Sequence, residues 1–508
     1  IRKATQGLAD YLNEEYESSS VAISYDSRIK SDLFAIEAAR VLAANGIKVY
    51  IYDKLMPTPC LSFAVRELHC EAGIMVTASH NPAKYNGYKV YGNDGCQITI
   101  ETADKVLSLI GKVDIFRGVK LEEFDKALAD GAIEYIKPEV EARYLANVKA
   151  QSIDSEATAK AGLKVVYTPL NGTGNLPVRK ILDMVGIKDV FIVNEQEKPD
   201  GTFSTCPFPN PEIPEALELG LKLCETQKPD LLLATDPDCD RVGIAVPDEN
   251  GNYVLISGNE VGSLLLEYIC KLRIEKGTMP ENPIAVKTIV TTELAAKIAA
   301  DYGVEIIDVL TGFKFIGEQI HYLEDNHEEN RYIFGFEESY GYLAGTYVRD
   351  KDAVVGSMLI CEMAAYYKLQ GVSILDALKR LYDKYGVFLH QQQSFTCEGS
   401  AGMQRMNEIM LSLRENPPKT LGGSEVIKHA DYKMSLCYDD VNATEQVIEL
   451  PKSDVLSYTL QNGASVVLRP SGTEPKIKAY YTAIDKTTQE AQKIIDAIKV
   501  DFTKELGF

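Results

Sequence analysis

Strand-like and helix-like runs alternate three times over residues 1–385, and this rhythm restricts the chain to sheets with helices laid on their faces. Apolar runs at 21–25, 48–52 and 73–76 form a first set, with helix-period segments at 32–44 and 61–68 between them. A second set has runs at 164–167, 190–193 and 231–234, with helices near 178–185 and 214–225. A third has runs at 284–290, 305–309 and 332–334, with helices near 292–302 and 315–323. Such alternation predicts parallel or mixed sheets. In every set the third run opens into a polar loop, at 77–82, 235–241 and 335–341. Open α/β sheets keep their chemistry at the carboxyl ends of strands. Three loops issuing from one topological place therefore predict three domains converging on one cleft.

The remainder reads differently. Residues 386–450 are mixed, 455–460, 464–468 and 477–482 have the alternation of antiparallel strands, and 487–506 forms a closing amphipathic helix. The expected architecture is α/β: three similar mixed-sheet α/β domains (1–160, 161–270 and 271–385) and a smaller C-terminal α+β domain (386–508) around a central cleft. A chain of 508 residues is too long for one core. The net charge of −21 (53 − 74) argues against non-specific nucleic-acid binding and against an anionic membrane surface. No apolar run approaches the roughly 20 residues that span a bilayer, and no signal-peptide pattern is present. The ten cysteines are scattered without a Cys-x-x-Cys pair, which predicts reduced thiols in a cytoplasmic protein.

The loops carry complementary chemistry. Ser79 stands between Thr77-Ala78 and His80-Asn81-Pro82, and Pro82 keeps Asn81 out of helix, so the serine lies on a loop at a strand's end. Such a serine can be a nucleophile oriented by His80, or part of an ordinary turn. Asp236, Asp238 and Asp240 alternate after an apolar run and offer oxygen ligands to a hard divalent cation, Mg²⁺ before Ca²⁺. An EF-hand loop is excluded, because its sixth and twelfth positions would be Arg241 and Pro247. Arg241 suits a site that handles phosphate as well as metal. Glu337, Glu338 and Ser339 suit vicinal sugar hydroxyls, and Gly312 with Lys314 makes a turn with a polar contact. Lys351, in the run Arg349-Asp350-Lys351-Asp352, can bring a cation to the same cleft or belong to surface ion pairs. Arg469, Ser471, Gly472, Thr473 and Lys476 describe a phosphate cradle of backbone N–H groups, hydroxyls and a guanidinium, or a hairpin loop. The spacing is not that of a Walker A loop.

Taken in this order, the four loops around Ser79, Asp236–Asp240, Glu337–Ser339 and Arg469–Pro475 resemble the α-D-phosphohexomutase superfamily over essentially the whole chain. Within it, Glu337-Glu338-Ser339 and the continuation to Lys351 are most similar to bacterial phosphoglucomutases and phosphopentomutase-type relatives. The resemblance implies an intramolecular phosphotransferase that interconverts glucose 1-phosphate and glucose 6-phosphate through a phosphoserine and a glucose 1,6-bisphosphate intermediate. Pentose or mannose phosphates are the alternative substrates. It implies Ser79 as the phosphoryl carrier, with His80 supporting its loop and Lys89 and Lys351 serving catalysis. Asp236, Asp238 and Asp240 would hold Mg²⁺ together with a phosphoserine oxygen of Ser79. Lys314, Glu337 and Ser339 would bind the sugar, and Arg469, Ser471, Gly472 and Thr473 the non-reacting phosphate. Arg241 and Arg28 would support the phosphoryl site. The partner would be a small sugar phosphate, with oligomeric state open between monomer and dimer.

One departure accompanies the resemblance. The superfamily opens with a Gly-rich segment whose arginine serves the phosphoryl site, whereas this chain begins Ile1-Arg2-Lys3-Ala4-Thr5, so a shortened N-terminus is expected. Two other classes stay open: a hydrolase using the same serine and metal, and a non-catalytic sugar-phosphate binder.

Overall fold

The computed structural model describes residues 1–399, 401–471 and 475–508. The chain divides into two compact units. The first comprises Ile1–Lys287, Asp301–Ile307 and Gly312–Leu375, and the second Thr288–Ala300, Asp308–Thr311 and Asp376–Phe508.

Three mixed sheets share one plan. In the first, the order is Lys89–Gly92, Ala72–Val76, Ser20–Tyr25, Lys48–Ile51 and Ile133–Tyr135. In the second it is Tyr253–Ile256, Val242–Pro247, Leu231–Thr235, Lys164–Thr168 and Asp189–Ile192. In the third it is Glu305–Val309, Ile284–Thr288, Tyr332–Phe336 and Tyr342–Leu343. Each time the third strand lies beside the first, and a short strand returns antiparallel along its outer edge. The third strands Ala72–Val76, Leu231–Thr235 and Tyr332–Phe336 are buried at every residue, which is why they read as unbroken apolar runs. The polar loops are the reversals between each third strand and its antiparallel return.

Two of the expected elements are shorter. The 284–290 run ends at Thr288, where Thr291 N–H donates to the Thr288 carbonyl at 2.9 Å and turns the chain. The helix expected from 292 begins at Leu294, because the Thr292 hydroxyl accepts from Leu294 N–H at 3.1 Å.

The second unit carries an antiparallel sheet in the order Val387–Thr396, Lys476–Asp485, Ser465–Pro470, Leu456–Leu460, Ser424–Asp431, Leu436–Asp439 and Thr444–Val447. Buried and half-buried residues alternate along Lys476–Asp485, as one covered face demands. The helix Thr488–Glu505 covers that face with Ile495, Ile498 and Phe502 packed among Tyr458, Leu468 and Tyr481. The ten-residue strand Val387–Thr396 falls where the sequence reads as mixed; Gln391, Gln392 and Gln393 interrupt its apolar signal.

No helix among the described residues is long and apolar enough to cross a membrane. All ten cysteines are free, and nine are buried.

Candidate active site

Ser79 occupies the reversal after Ala72–Val76 with φ +52°, in the left-handed region that an L-residue adopts only under local constraint. The constraint is visible. Its N–H donates to Thr77 Oγ1 at 2.8 Å, and its hydroxyl donates to Asp236 Oδ2 at 2.9 Å. His80 Nδ1 lies 3.2 Å from the same hydroxyl. Burial, reinforced by the Arg241 cation, pushes the His80 imidazole down to about 3, so the ring is neutral.

Arg28 holds this loop from beneath. Its side chain is fully buried, and it donates to the carbonyls of Ser79 at 2.5 Å, Pro82 at 3.0 Å and Tyr85 at 3.0 Å, and to that of Asn81. Asp26 lies 3.2 Å from the Arg28 Nε and accepts from the Thr77 hydroxyl at 2.7 Å and the Ser31 hydroxyl at 2.8 Å. Burial raises the Asp26 carboxyl to about 6 despite these partners. Sequence reasoning placed Arg28 near the phosphoryl group and missed Asp26. The signal was available, since Tyr25-Asp26-Ser27-Arg28 sits at the carboxyl end of a first strand.

The three aspartates converge. Carboxylate oxygens of Asp236, Asp238 and Asp240 lie within 4.8 Å of one another, and all three residues are buried. Thr58 of the first sheet's layer reaches the loop, its hydroxyl donating to Asp238 Oδ2 at 3.0 Å and its N–H to the Asp238 carbonyl at 2.9 Å. Lys89, on the antiparallel return strand, places its ammonium 2.9 Å from Asp238 and 3.7 Å from Asp240. Lys351 lies 2.9 Å from Asp240 and 3.2 Å from Asp350. Burial and the charges of Asp238 and Asp240 hold Asp236 well above the usual carboxylate range. Burial and the Asp238 charge raise Asp240 as well. Asp238 goes the other way, because Lys89 outweighs the cost of its burial with help from Asp236 and Lys351. Asp238 Oδ1 and Asp240 Oδ1 accept no hydrogen bond from any described residue. Buried carboxylate oxygens without donors are costly, and a hard divalent cation would satisfy them. The donor set therefore fits such a metal.

Arg241 donates to Glu212 Oε1 at 3.1 Å and stands 3.9 Å from Asp240 Oδ1. Arg241 also bridges to Gly341, and Val242 N–H donates to the Tyr340 carbonyl at 3.1 Å, tying the aspartate loop to the Glu337 loop. Glu337 is buried and accepts from Gly312 N–H at 3.0 Å, while Ser339 is half-buried. Burial, opposed by Lys351 and Arg241, raises the Glu337 carboxyl. The Lys314 ammonium lies 4.9 Å from the centre of the Phe315 ring, at the start of helix Phe313–Asp325. The surface-ion-pair reading of Arg349–Asp352 is corrected: all four residues are buried. Asp350 accepts from Tyr91 at 2.7 Å and Gln97 at 3.0 Å, and so joins Lys351 to the first sheet.

Gly341 is confined between these groups. A β-carbon there would stand 2.5 Å from Lys351 Cδ and 3.4 Å from Glu337 Oε2. Lys351 cannot swing away without leaving Asp240 or Asp350. Gly341→Ala is expected to lower turnover about tenfold and to cost about 1–3 kcal/mol of stability, read by steady-state kinetics and thermal unfolding.

In the second unit, Arg469 is exposed on strand Ser465–Pro470, opposite Lys478, and Ser471 N–H donates to the Lys476 carbonyl at 2.7 Å. Gly472 and Thr473 lie outside the described residues.

The chain is similar to known proteins in sequence and in fold. The chain matches the phosphoglucomutase/phosphomannomutase α/β/α domains I, II and III over residues 1–115, 142–251 and 257–385. It is 36% identical to a phosphoglucomutase of Staphylococcus saprophyticus over 497 residues, covering 96% of this chain and 88% of the relative. It is 39% identical to a phosphoglucomutase of Staphylococcus aureus over 483 residues, covering 94% of this chain and 85% of that one. Its fold is similar to that of parafusin, a phosphoglucomutase from Paramecium solved in an open form, with a TM-score of 0.73 at 18% identity over 100% of this chain and 92% of that one. With its three repeated sheets, its buried aspartate cluster and these similarities, the chain belongs to the phosphoglucomutase/phosphomannomutase family of the α-D-phosphohexomutase superfamily.

Proposed function

We propose that this chain interconverts glucose 1-phosphate and glucose 6-phosphate, with Ser79 as the phosphoryl carrier and glucose 1,6-bisphosphate as the intermediate. The observation that carries the reading is the Ser79 hydroxyl, 2.9 Å from Asp236 Oδ2 at the edge of the buried three-aspartate cluster. Asp236, Asp238 and Asp240 would hold Mg²⁺, which would offset the negative charge of the transferring phosphoryl group.

The chain's own residues account for the rest. The bond between phosphorus and the Ser79 oxygen breaks as the sugar's free hydroxyl bonds to phosphorus. The sugar hydroxyl loses its proton as the departing serine oxygen takes one up; on the return the serine hydroxyl gives up its proton and the sugar oxygen that releases phosphorus regains one. Lys89, with its ammonium against Asp238 and Asp240, is placed to hand over that proton. Phosphoryl transfer asks mainly for in-line placement, and Arg28 supplies it by fixing the carbonyls on both sides of Asn81. Neutral His80 donates to or accepts from the serine without adding charge. Glu337 and Ser339 take sugar hydroxyls, and Gly312 N–H fixes the Glu337 carboxylate. Arg469 and Ser471, with Gly472 and Thr473, would hold the non-reacting phosphate, led by the Arg469 guanidinium fork. Because the bisphosphate presents both ends in turn, this cradle accepts either phosphate. The local cations matter because the chain's net charge of −21 repels an anionic substrate. Ten free thiols, nine of them buried, support a cytoplasmic setting.

A comparison of kcat/KM for glucose, mannose and ribose phosphates tests the reading. Glucose 1-phosphate is expected to lead by about tenfold or more. A clear preference for ribose 1-phosphate would overturn it.

A further inference from the structure

The serine loop is held from outside its own sheet. Arg28 grips four main-chain carbonyls of that loop, so its precision depends on what fixes its guanidinium. One face lies over the Phe203 ring, with the guanidinium carbon 5.1 Å from the ring centre. Phe203 belongs to a segment between the strands of the second sheet, at 200–206. The segment is tied into shape by Asp200, which accepts from Thr202 N–H at 2.9 Å, the Thr202 hydroxyl at 2.7 Å and the Ser204 hydroxyl at 2.8 Å. Phe203 is wholly buried yet has φ +46°, a left-handed backbone that is unfavourable for a bulky side chain. Gly201 closes the other contact. A β-carbon there would stand 2.5 Å from Ile29 N and 2.7 Å from the Ser27 carbonyl oxygen, on either side of Arg28.

We propose that the 200–206 segment is a positioning strap for the serine loop: Phe203 fixes Arg28, and Arg28 fixes Ser79. The strained aromatic and the glycine contact converge on one residue, and that residue reaches the carrier serine's own carbonyl. Phe203 is a positioning residue, since it acts through Arg28. The kinetic consequence rests on the phosphoryl-relay reading; the structural consequence does not.

The test uses the full chain as Phe203→Leu and, independently, Gly201→Ala, whose added methyl presses on the main chain of Ser27–Ile29. Hydrogen exchange is followed in peptides covering 77–87 and, as an internal reference, 231–246 of the second sheet. In both variants, exchange across 77–87 is expected to rise about tenfold or more while 231–246 stays at the parent rate. Turnover is expected to fall about tenfold to a hundredfold, with KM for glucose 1-phosphate within about twofold. An unchanged rate at 77–87 overturns the proposal, as does a loosened loop with parental kcat. Faster exchange at 231–246 in both variants overturns it too, because Phe203 would then be a core residue of the second sheet. Absence of mutase activity in the parent would instead strike the relay reading and leave the exchange result to decide the strap.

Discussion

Ser79→Ala is expected to lower mutase turnover by at least roughly 10⁴-fold, because the variant has no oxygen to carry the phosphoryl group. The loss follows from chemistry, not from fold. Alanine keeps the left-handed backbone that the Arg28 clamp and Thr77 impose, and among the described residues the hydrogen bonds removed are those of the hydroxyl with Asp236 and His80. Asp236 loses one donor, at a cost of about 1–3 kcal/mol. The variant therefore unfolds cooperatively at a slightly lower temperature. Kinetics and thermal unfolding on one preparation separate the two effects. Turnover near the parent rate would remove Ser79 from the reaction.

Asp240→Asn is expected to have the second-largest effect, and its stability signature is as diagnostic as its kinetics. In the metal-free protein three buried carboxylates face one another, and burial and the Asp238 charge raise both Asp236 and Asp240, against the pull of Lys351, Lys89 and Arg241 at Asp240. Neutralising Asp240 relieves that repulsion. Lys351 keeps its contact with Asp350 at 3.2 Å. Without metal the variant is expected to melt at or above the parent's midpoint. With Mg²⁺ at a hundredfold its dissociation constant, the parent gains about 2.7 kcal/mol, and the variant should gain almost none. Turnover in saturating Mg²⁺ is expected to fall by roughly 10³-fold, as phosphoryl transfer depends on charge offset at this site. An equal Mg²⁺-induced rise in midpoint in both proteins would show that the aspartate cluster is not the metal site.

The readable parts of this chain share a physical cause. Ala72–Val76, Leu231–Thr235 and Tyr332–Phe336 are buried on both faces, so each is a short unbroken apolar run. The charged loops after them stand out because a strand end is an uncommon place for three alternating carboxylates. Asp236, Asp238 and Asp240 are local in sequence, and the fold needs only one turn to gather them. What stayed hidden is non-local. Arg28 meets the serine loop across more than fifty positions, and Thr58 meets Asp238 across 180. No periodicity encodes such contacts. By residue type Arg349–Asp352 reads as surface ion pairs as readily as a cleft cation, yet it is buried because Glu324, Tyr91, Gln97 and Tyr144 supply partners from other segments. The return strands Lys89–Gly92 and Tyr342–Leu343 are too short for an alternation signal, so the expectation of mixed sheets does not locate them. The strap at 200–206 has neither helix nor strand period, and its importance lies in a backbone angle that composition does not reveal.

The central claim is that Ser79 gives its phosphoryl group to a sugar monophosphate and takes back the other phosphate of the resulting bisphosphate. Incubating the full chain with glucose 1,6-bisphosphate bearing a radiolabelled phosphate, followed by peptide mapping, tests it most directly. Label is expected on the Ser79 peptide, approaching one equivalent per chain, and is expected to pass to the sugar when unlabelled glucose 1-phosphate or glucose 6-phosphate is added. Label found on another residue, or released as inorganic phosphate faster than it reaches sugar, would contradict it.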